Sequence, residues 1–162
     1  MIGTALECIA WLSTQKDGTF EVDFHKEKRS LSANALYFKM VREMAKALHI
    51  SNPRMHNQLL RKYGVPQLID GEEVWIALPD TPETEKEVEE DEYNHFQPTM
   101  RRTKSKRWYL LLKPSHEFNT SEMSRLIDGA ADEMRNMGLI PPMDEDIHRA
   151  IELYEKHQKK ES

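Results

Sequence analysis

Apolar positions recur along this chain in two periods, two residues and about three and a half, and their order sketches an α+β protein. Phe20, Val22 and Phe24 alternate with Glu21, Asp23 and His25, and Asp17-Gly18 supplies a turn pair ahead of them. This predicts an N-terminal hairpin whose first strand is Thr4 to Leu12. A second Asp-Gly pair, Asp70-Gly71, separates Val65-Pro66-Gln67-Leu68-Ile69 from Val74-Trp75-Ile76-Ala77-Leu78 and predicts a second hairpin, with Pro66 pushing its strand toward an edge. A later run, Arg107-Trp108-Tyr109-Leu110-Leu111-Leu112, has strand length and is ended by Pro114. The expectation is an antiparallel sheet from two hairpins plus this later strand, with packed helices and a helical C-terminal part.

The helices follow from the longer period. Tyr37, Val41, Met44, Ala45 and Leu48 share one face, with Ser30 or Ser32 as cap. A shorter helix follows, capped by Ser51 or Asn52, with Pro53 in its first turn, Met55, Leu59 and Tyr63 inward, and Gly64 past its end. In the last third, Met123, Leu126, Ile127, Ala130 and Met134 lie on one face behind Asn119 and Glu122, which have capping-box spacing, and Gly138 marks the stop. A final helix begins near Asp144, with acids in its first turn, Lys159 and Lys160 near its end, and a narrow face of Ile147, Ala150, Ile151 and Tyr154. Between the second hairpin and the later strand, Pro79, Pro82, Pro98 and a dense acidic block predict a flexible loop over 79–99.

A length of 162 residues predicts one domain over 1–162, able to bury about two-thirds of the surface of its unfolded chain without a disulfide or metal. Cys8 is the single cysteine, so no disulfide framework, Cys/His zinc set or Cys-x-x-Cys pair can be built. The first twelve residues contain Glu7 and lack a basic leader pattern, and no apolar run approaches the roughly 20 residues of a membrane span. A cytoplasmic protein without a membrane partner is the expectation.

The net charge of −5 changes meaning once it is located. Asp80 to Glu92 holds eight acids against Lys86, a local charge of −7, so the rest of the chain carries +2. Downstream, Arg101, Arg102, Lys104, Lys106 and Arg107 place five cations in seven residues, directly before Trp108 and Tyr109. Cations neutralise phosphates and a flat ring offers a surface to an unpaired base, which makes this segment a candidate nucleic-acid contact. The plainer alternative is Trp108 as a core residue, with the cations a solvated approach to its strand. His25, Lys26, Lys28 and Arg29 form a second basic cluster; with Ser30 as a helix cap, free backbone N–H groups beside these cations would seat a phosphate. The acidic block reads as a solvated run, a set of metal ligands, a mimic of a nucleic-acid backbone, or a screen over the basic segment.

Catalytic patterns are scarce. G-x-S-x-G, Walker A, G-x-G-x-x-G, His-Glu-x-x-His and His-x-x-Glu-His are absent, and no metal or cofactor is implied. His56-Asn57 is the only His-Asn pair, and His56 falls in a predicted helix.

The motif Arg29-Ser30-Leu31-Ser32-Ala33-Asn34, following a strand region and leading into a helix, resembles the NinB/Orf family of phage recombination proteins. Thr120-Ser121-Glu122-Met123-Ser124-Arg125-Leu126-Ile127-Asp128 resembles the start of the C-terminal helix in such proteins. The resemblance implies a phage-encoded, non-catalytic recombination mediator acting in the bacterial host. It would bind single-stranded DNA, form a homodimer and work beside the host single-strand-binding protein. By matching position, Arg29, Ser30, Leu31 and Asn34 inherit the motif: Arg29 would meet phosphate, Asn34 would fix the helix entry or hydrogen-bond backbone, and Leu31 would anchor the turn in the core. The DNA-binding set expected from both lines is Lys26, Lys28, Arg29, Ser30, Asn34, Arg101, Arg102, Lys104, Lys106, Arg107 and Trp108. The alternatives are a metal-dependent HNH-like phage nuclease using His56 and a protein-interaction module using the acidic block.

Overall fold

The computed structural model describes Trp11, Ser13, Thr14 and residues 32–161. Most of the expected N-terminal hairpin, with Cys8 and the cluster Lys26, Lys28, Arg29, Ser30, lies outside the described residues; Trp11, within the expected first strand, is helical instead, and the Thr14 N–H turns back to its carbonyl at 3.0 Å. Among the described residues the chain is an α+β structure of five helices, a two-stranded antiparallel sheet and a three-stranded antiparallel sheet.

Four helices build the main core. Helix α1 (Ala33–Leu48) starts at Ser32, whose hydroxyl accepts the Ala35 N–H, and buries Leu36, Tyr37, Met40, Val41, Met44 and Ala45. The cap is therefore Ser32 rather than Ser30. Leu48, expected inward, is exposed because the helix ends at His49 in the left-handed conformation. Helix α2 (Asn52–Tyr63) starts at Ser51 with Pro53 in its first turn. Helices α1 and α2 pack on the two C-terminal helices, whose ranges are Thr120–Asn136 and Asp144–Glu161. The first of these opens on the expected capping box: Glu122 N–H donates to Asn119 Oδ1 at 2.9 Å and Asn119 N–H donates to Glu122 Oε2 at 2.8 Å. Tyr63 lies so close to Gly129 that a Cβ there would come within 2.5 Å of its ring, so glycine is what lets α2 approach this helix. The narrow apolar face of the last helix suggests packing on one partner helix without deep burial; instead Ile147 and Ala150 are buried in the same core, against two helices.

The second hairpin is shorter than expected. Strand β1 (Leu68–Ile69) pairs with β2 (Glu72–Glu73) across Asp70 and Gly71, both at positive φ, 52° and 82°, the signature of a type I′ turn. Strand β3 (Trp75–Pro79) does not return along Val65–Ile69 but pairs with β5 (Lys106–Leu112), in the order β3-β5-β4, where β4 is His95–Arg102. Gln67 N–H donates to Leu111 O and Lys113 N–H donates to Val65 O, so the chain leaves and rejoins one edge of β5 with β1–β2 looped out between.

The 79–99 segment is ordered rather than a flexible loop. It holds helix α3 (Pro82–Glu90), an Asp91 turn and the start of β4. Thr81 caps α3, Pro82 occupies a first-turn position where no N–H is needed, and Glu83 and Glu85 lie at the positive end of the helix dipole. One buried residue, Val88, ties it to Phe96 and Tyr109. The Asp91 side chain accepts the N–H groups of Tyr93 and Asn94 and turns the chain into β4. Pro98 is tolerated because β4 is an edge strand, and the register shifts between Pro98 and Arg102. With these in place the C-terminal helices are α4 (Thr120–Asn136) and α5 (Asp144–Glu161). Among the described residues no helix is long and apolar enough to cross a membrane.

Candidate functional site

Successive side chains on a strand point to opposite faces, and paired residues share a face, so the register sorts the basic and aromatic residues. Arg107, Tyr109 and Leu111 of β5 share a side with Leu78 of β3 and Phe96 of β4. Helix α3 covers that side through Val88. There the Arg107 side chain is only 11% exposed; its Nε donates to Thr99 O at 3.1 Å and its guanidinium is 3.3 Å from Glu85. Arg102, paired with Arg107 in the ladder, lies 3.7 Å from Asp80. The acidic block thus docks on the protein: Glu89 also pairs with Arg54 at 2.9 Å, and Asn57 Nδ2 donates to the carbonyls of Glu89 and Asp91, satisfying the end of α3.

The other side carries Lys106, Trp108 and Leu110 of β5 beside Trp75 and Ala77 of β3 and Gln97 of β4. Trp75 opposes Leu110 and Ala77 opposes Trp108, so the two indoles occupy diagonal positions with only a methyl group across from Trp108. Trp75 is 44% exposed and Trp108 half-buried. The Arg101 guanidinium stacks 4.3 Å from the centre of the Trp108 ring, a cation–π contact. Lys104 and Lys106 are exposed around the turn that Thr103 closes on Lys106, and neither they nor Arg101 form an ion pair among the described residues. Arg101, Lys104, Lys106 and Trp108 therefore come together, whereas Arg102 and Arg107 are drawn to acids on or beside α3. Trp75 escapes a reading of the sequence because only the pairing of β3 with β5 brings it to Trp108. Its sequence signal was an apolar strand position and nothing more.

Asn34 lies elsewhere, with Phe38, Asn52, Pro53, His56, Glu92, His95, Ser115 and His116 around a cavity of about 470 Å³. His56 from α2 and His95 from the start of β4 meet at nearly a right angle, 89°, with ring centres 4.8 Å apart. His56 Nδ1 is 2.8 Å from the buried Tyr37 hydroxyl and His95 Nδ1 is 2.7 Å from Asn57 Oδ1. Burial, reinforced by neighbouring His95, drops His56 to about 3, while burial also lowers His95 against the pull of Asp91. Burial raises the Tyr37 hydroxyl well above its ordinary value. Ser115 shares the cavity without a hydrogen bond to His95, and among the described residues no three His, Cys, Asp or Glu side chains form a metal-holding group. Two of these residues were the His-Asn pair of the sequence. Tyr37, His95 and His116 are too distant along the chain for spacing to group them.

Comparison with protein-family models, curated proteins and solved structures finds no match to this chain.

Proposed function

We propose that this protein binds single-stranded DNA on the open side of its three-stranded sheet, as a non-catalytic phage recombination mediator. The observation that carries the reading is the Arg101-stacked Trp108 beside exposed Trp75, flanked by Lys104 and Lys106. Two indoles give unpaired bases a sequence-tolerant surface, each stacked base contributing roughly 1–3 kcal/mol. The three cations, free of internal acids among the described residues, take the phosphates. The NinB/Orf-like motifs support the recombination setting, a homodimer and a host single-strand-binding partner, while Lys26, Lys28, Arg29 and Ser30 would extend the phosphate path.

Fluorescence anisotropy of a labelled single strand across a salt series tests this. Three phosphate contacts give a log–log slope of about −2, from roughly −0.7 per neutralised phosphate. Salt-independent affinity, or equal affinity after Trp108→Ala, would contradict it. A gel of the same samples with Mg2+ or Mn2+ should show intact DNA, and metal-dependent cleavage would favour a nuclease instead.

A further inference from the structure

We propose that the cavity between α1, α2 and the start of β4 is a pocket for one unpaired nucleobase, whose hydrogen-bonding edge meets His95 Nε2 as acceptor and His56 Nε2 as donor. This rests on the single-strand reading for delivery of the base, and on its own geometry for the rest.

The hydrogen bonds fix which nitrogen carries each proton. Asn57 Nδ2 donates to two backbone carbonyls at 2.9 Å, so its Oδ1 can only accept, and His95 Nδ1 must be the N–H donor of the 2.7 Å contact. A neutral imidazole has one N–H, which leaves His95 Nε2 a free lone pair. Tyr37 is fully buried, and His56 Nδ1 is the partner of its hydroxyl. Were that hydroxyl to accept, its own proton would be buried without an acceptor, so it donates and His56 carries its proton on Nε2. The low proton affinity of both rings keeps these assignments at neutral pH.

The result is one donor and one acceptor, on rings that touch edge to face, in a single cavity. Neither Nε2 has a hydrogen-bond partner among the described residues, although both side chains are more than nine-tenths buried. Neither nitrogen is closed off from the cavity, so both are open to a ligand that enters it. Every nucleobase presents a donor next to an acceptor on its pairing edge, and proteins that hold an extruded base read that edge and stack on the ring. The stacking surface is Phe38, 37% exposed and 5.2 Å from His56. Asn34 brings a side-chain oxygen that also lacks a partner. A volume of 470 Å³ lies in the range of about 300–1,000 Å³ typical of small-ligand pockets. His95 and Leu112 continue the sheet side that carries the tryptophans, four residues along β5 from Trp108, about 13 Å at strand rise.

The test uses the full chain with 15N-labelled histidine. Titration with the four deoxynucleoside monophosphates should shift the His95 Nε2 resonance saturably, and Phe38→Ala should weaken that titration roughly tenfold. A single strand carrying one 2-aminopurine should brighten several-fold on binding as that base leaves its neighbours. Histidine signals that stay unmoved by nucleotide and by strand overturn the pocket. If such a strand still binds by anisotropy, the tryptophan side stands alone. Nucleotides that shift His95 while no strand binds would remove the tryptophan side and keep the pocket.

Discussion

One side of β5 carries Arg107, Tyr109 and Leu111 under a nine-residue acidic helix; the other carries Lys106, Trp108 and Leu110 with two indoles in view of solvent. The same three strands supply both, so the contrast comes from what lies on them. On the covered side, the cations face carboxylates and the apolar residues face Val88. On the open side, Arg101 stacks on an indole and the lysines project into water. That open side closes at its far end, where Leu112 enters the main core and His95 meets His56. Cations stay bare here only where the fold supplies no acid.

The largest expected effect tests the buried histidines at the far end. An unfolded histidine takes a proton near 6.5, whereas His56 in the fold does so only near 3. The folded value is depressed, so stability is complete above about 6.5 and drains as pH falls toward 3, by on the order of 5 kcal/mol, with His95 acting in the same direction. Urea unfolding between pH 7 and 4 should show this slope, and His56→Gln should flatten it; an identical slope in both proteins would mean that the His56 ring is not desolvated in the fold. Next in size, Val88→Ala should cost about 2 kcal/mol of stability by removing the anchor of α3, with single-strand affinity at pH 7 unchanged. A parallel loss of affinity would blur the two sides into one.

Trp75→Ala and Trp108→Ala make the converse case. Each should weaken single-strand binding by about 1–3 kcal/mol in anisotropy titrations while the thermal midpoint moves little for Trp75, the more exposed ring. If Trp75→Ala instead lowers stability and spares affinity, the open side is a packing surface. The smallest effect belongs to Glu85→Gln, which frees Arg107 from an ion pair whose carboxylate is exposed at 59%. It should tighten binding by less than about 1 kcal/mol at low salt, and the gain should vanish at high salt.

Much of the helical scaffold is legible in the sequence, because its faces repeat at helical spacing and its starts carry Ser51 and the Asn119–Glu122 box. Strand β5 is legible as an apolar run. Helix α3 and β4 are not: a helix whose one buried residue is Val88 shows no apolar stripe, and Pro82 and Pro98 read as breakers when each occupies a place that needs no N–H. The site follows the same division. Trp108 and its cations announce themselves by being adjacent, but the partners that decide their state, Trp75, Glu85 and Asp80, come from other elements. The histidine cavity is the extreme case, drawing on α1, α2, β4 and the turn after β5.

The irregular outer edge of β4 has a consequence for crowding. An open antiparallel sheet invites a second copy to add its own strand, and copies gathered on one DNA strand would meet at high local concentration. Pro98 offers no amide hydrogen to such a neighbour, the shifted register beyond it interrupts the spacing, and Arg101 and Arg102 would confront their own counterparts. Under the proposed single-strand binding, copies would therefore line up densely along DNA without fusing into a filament of sheet.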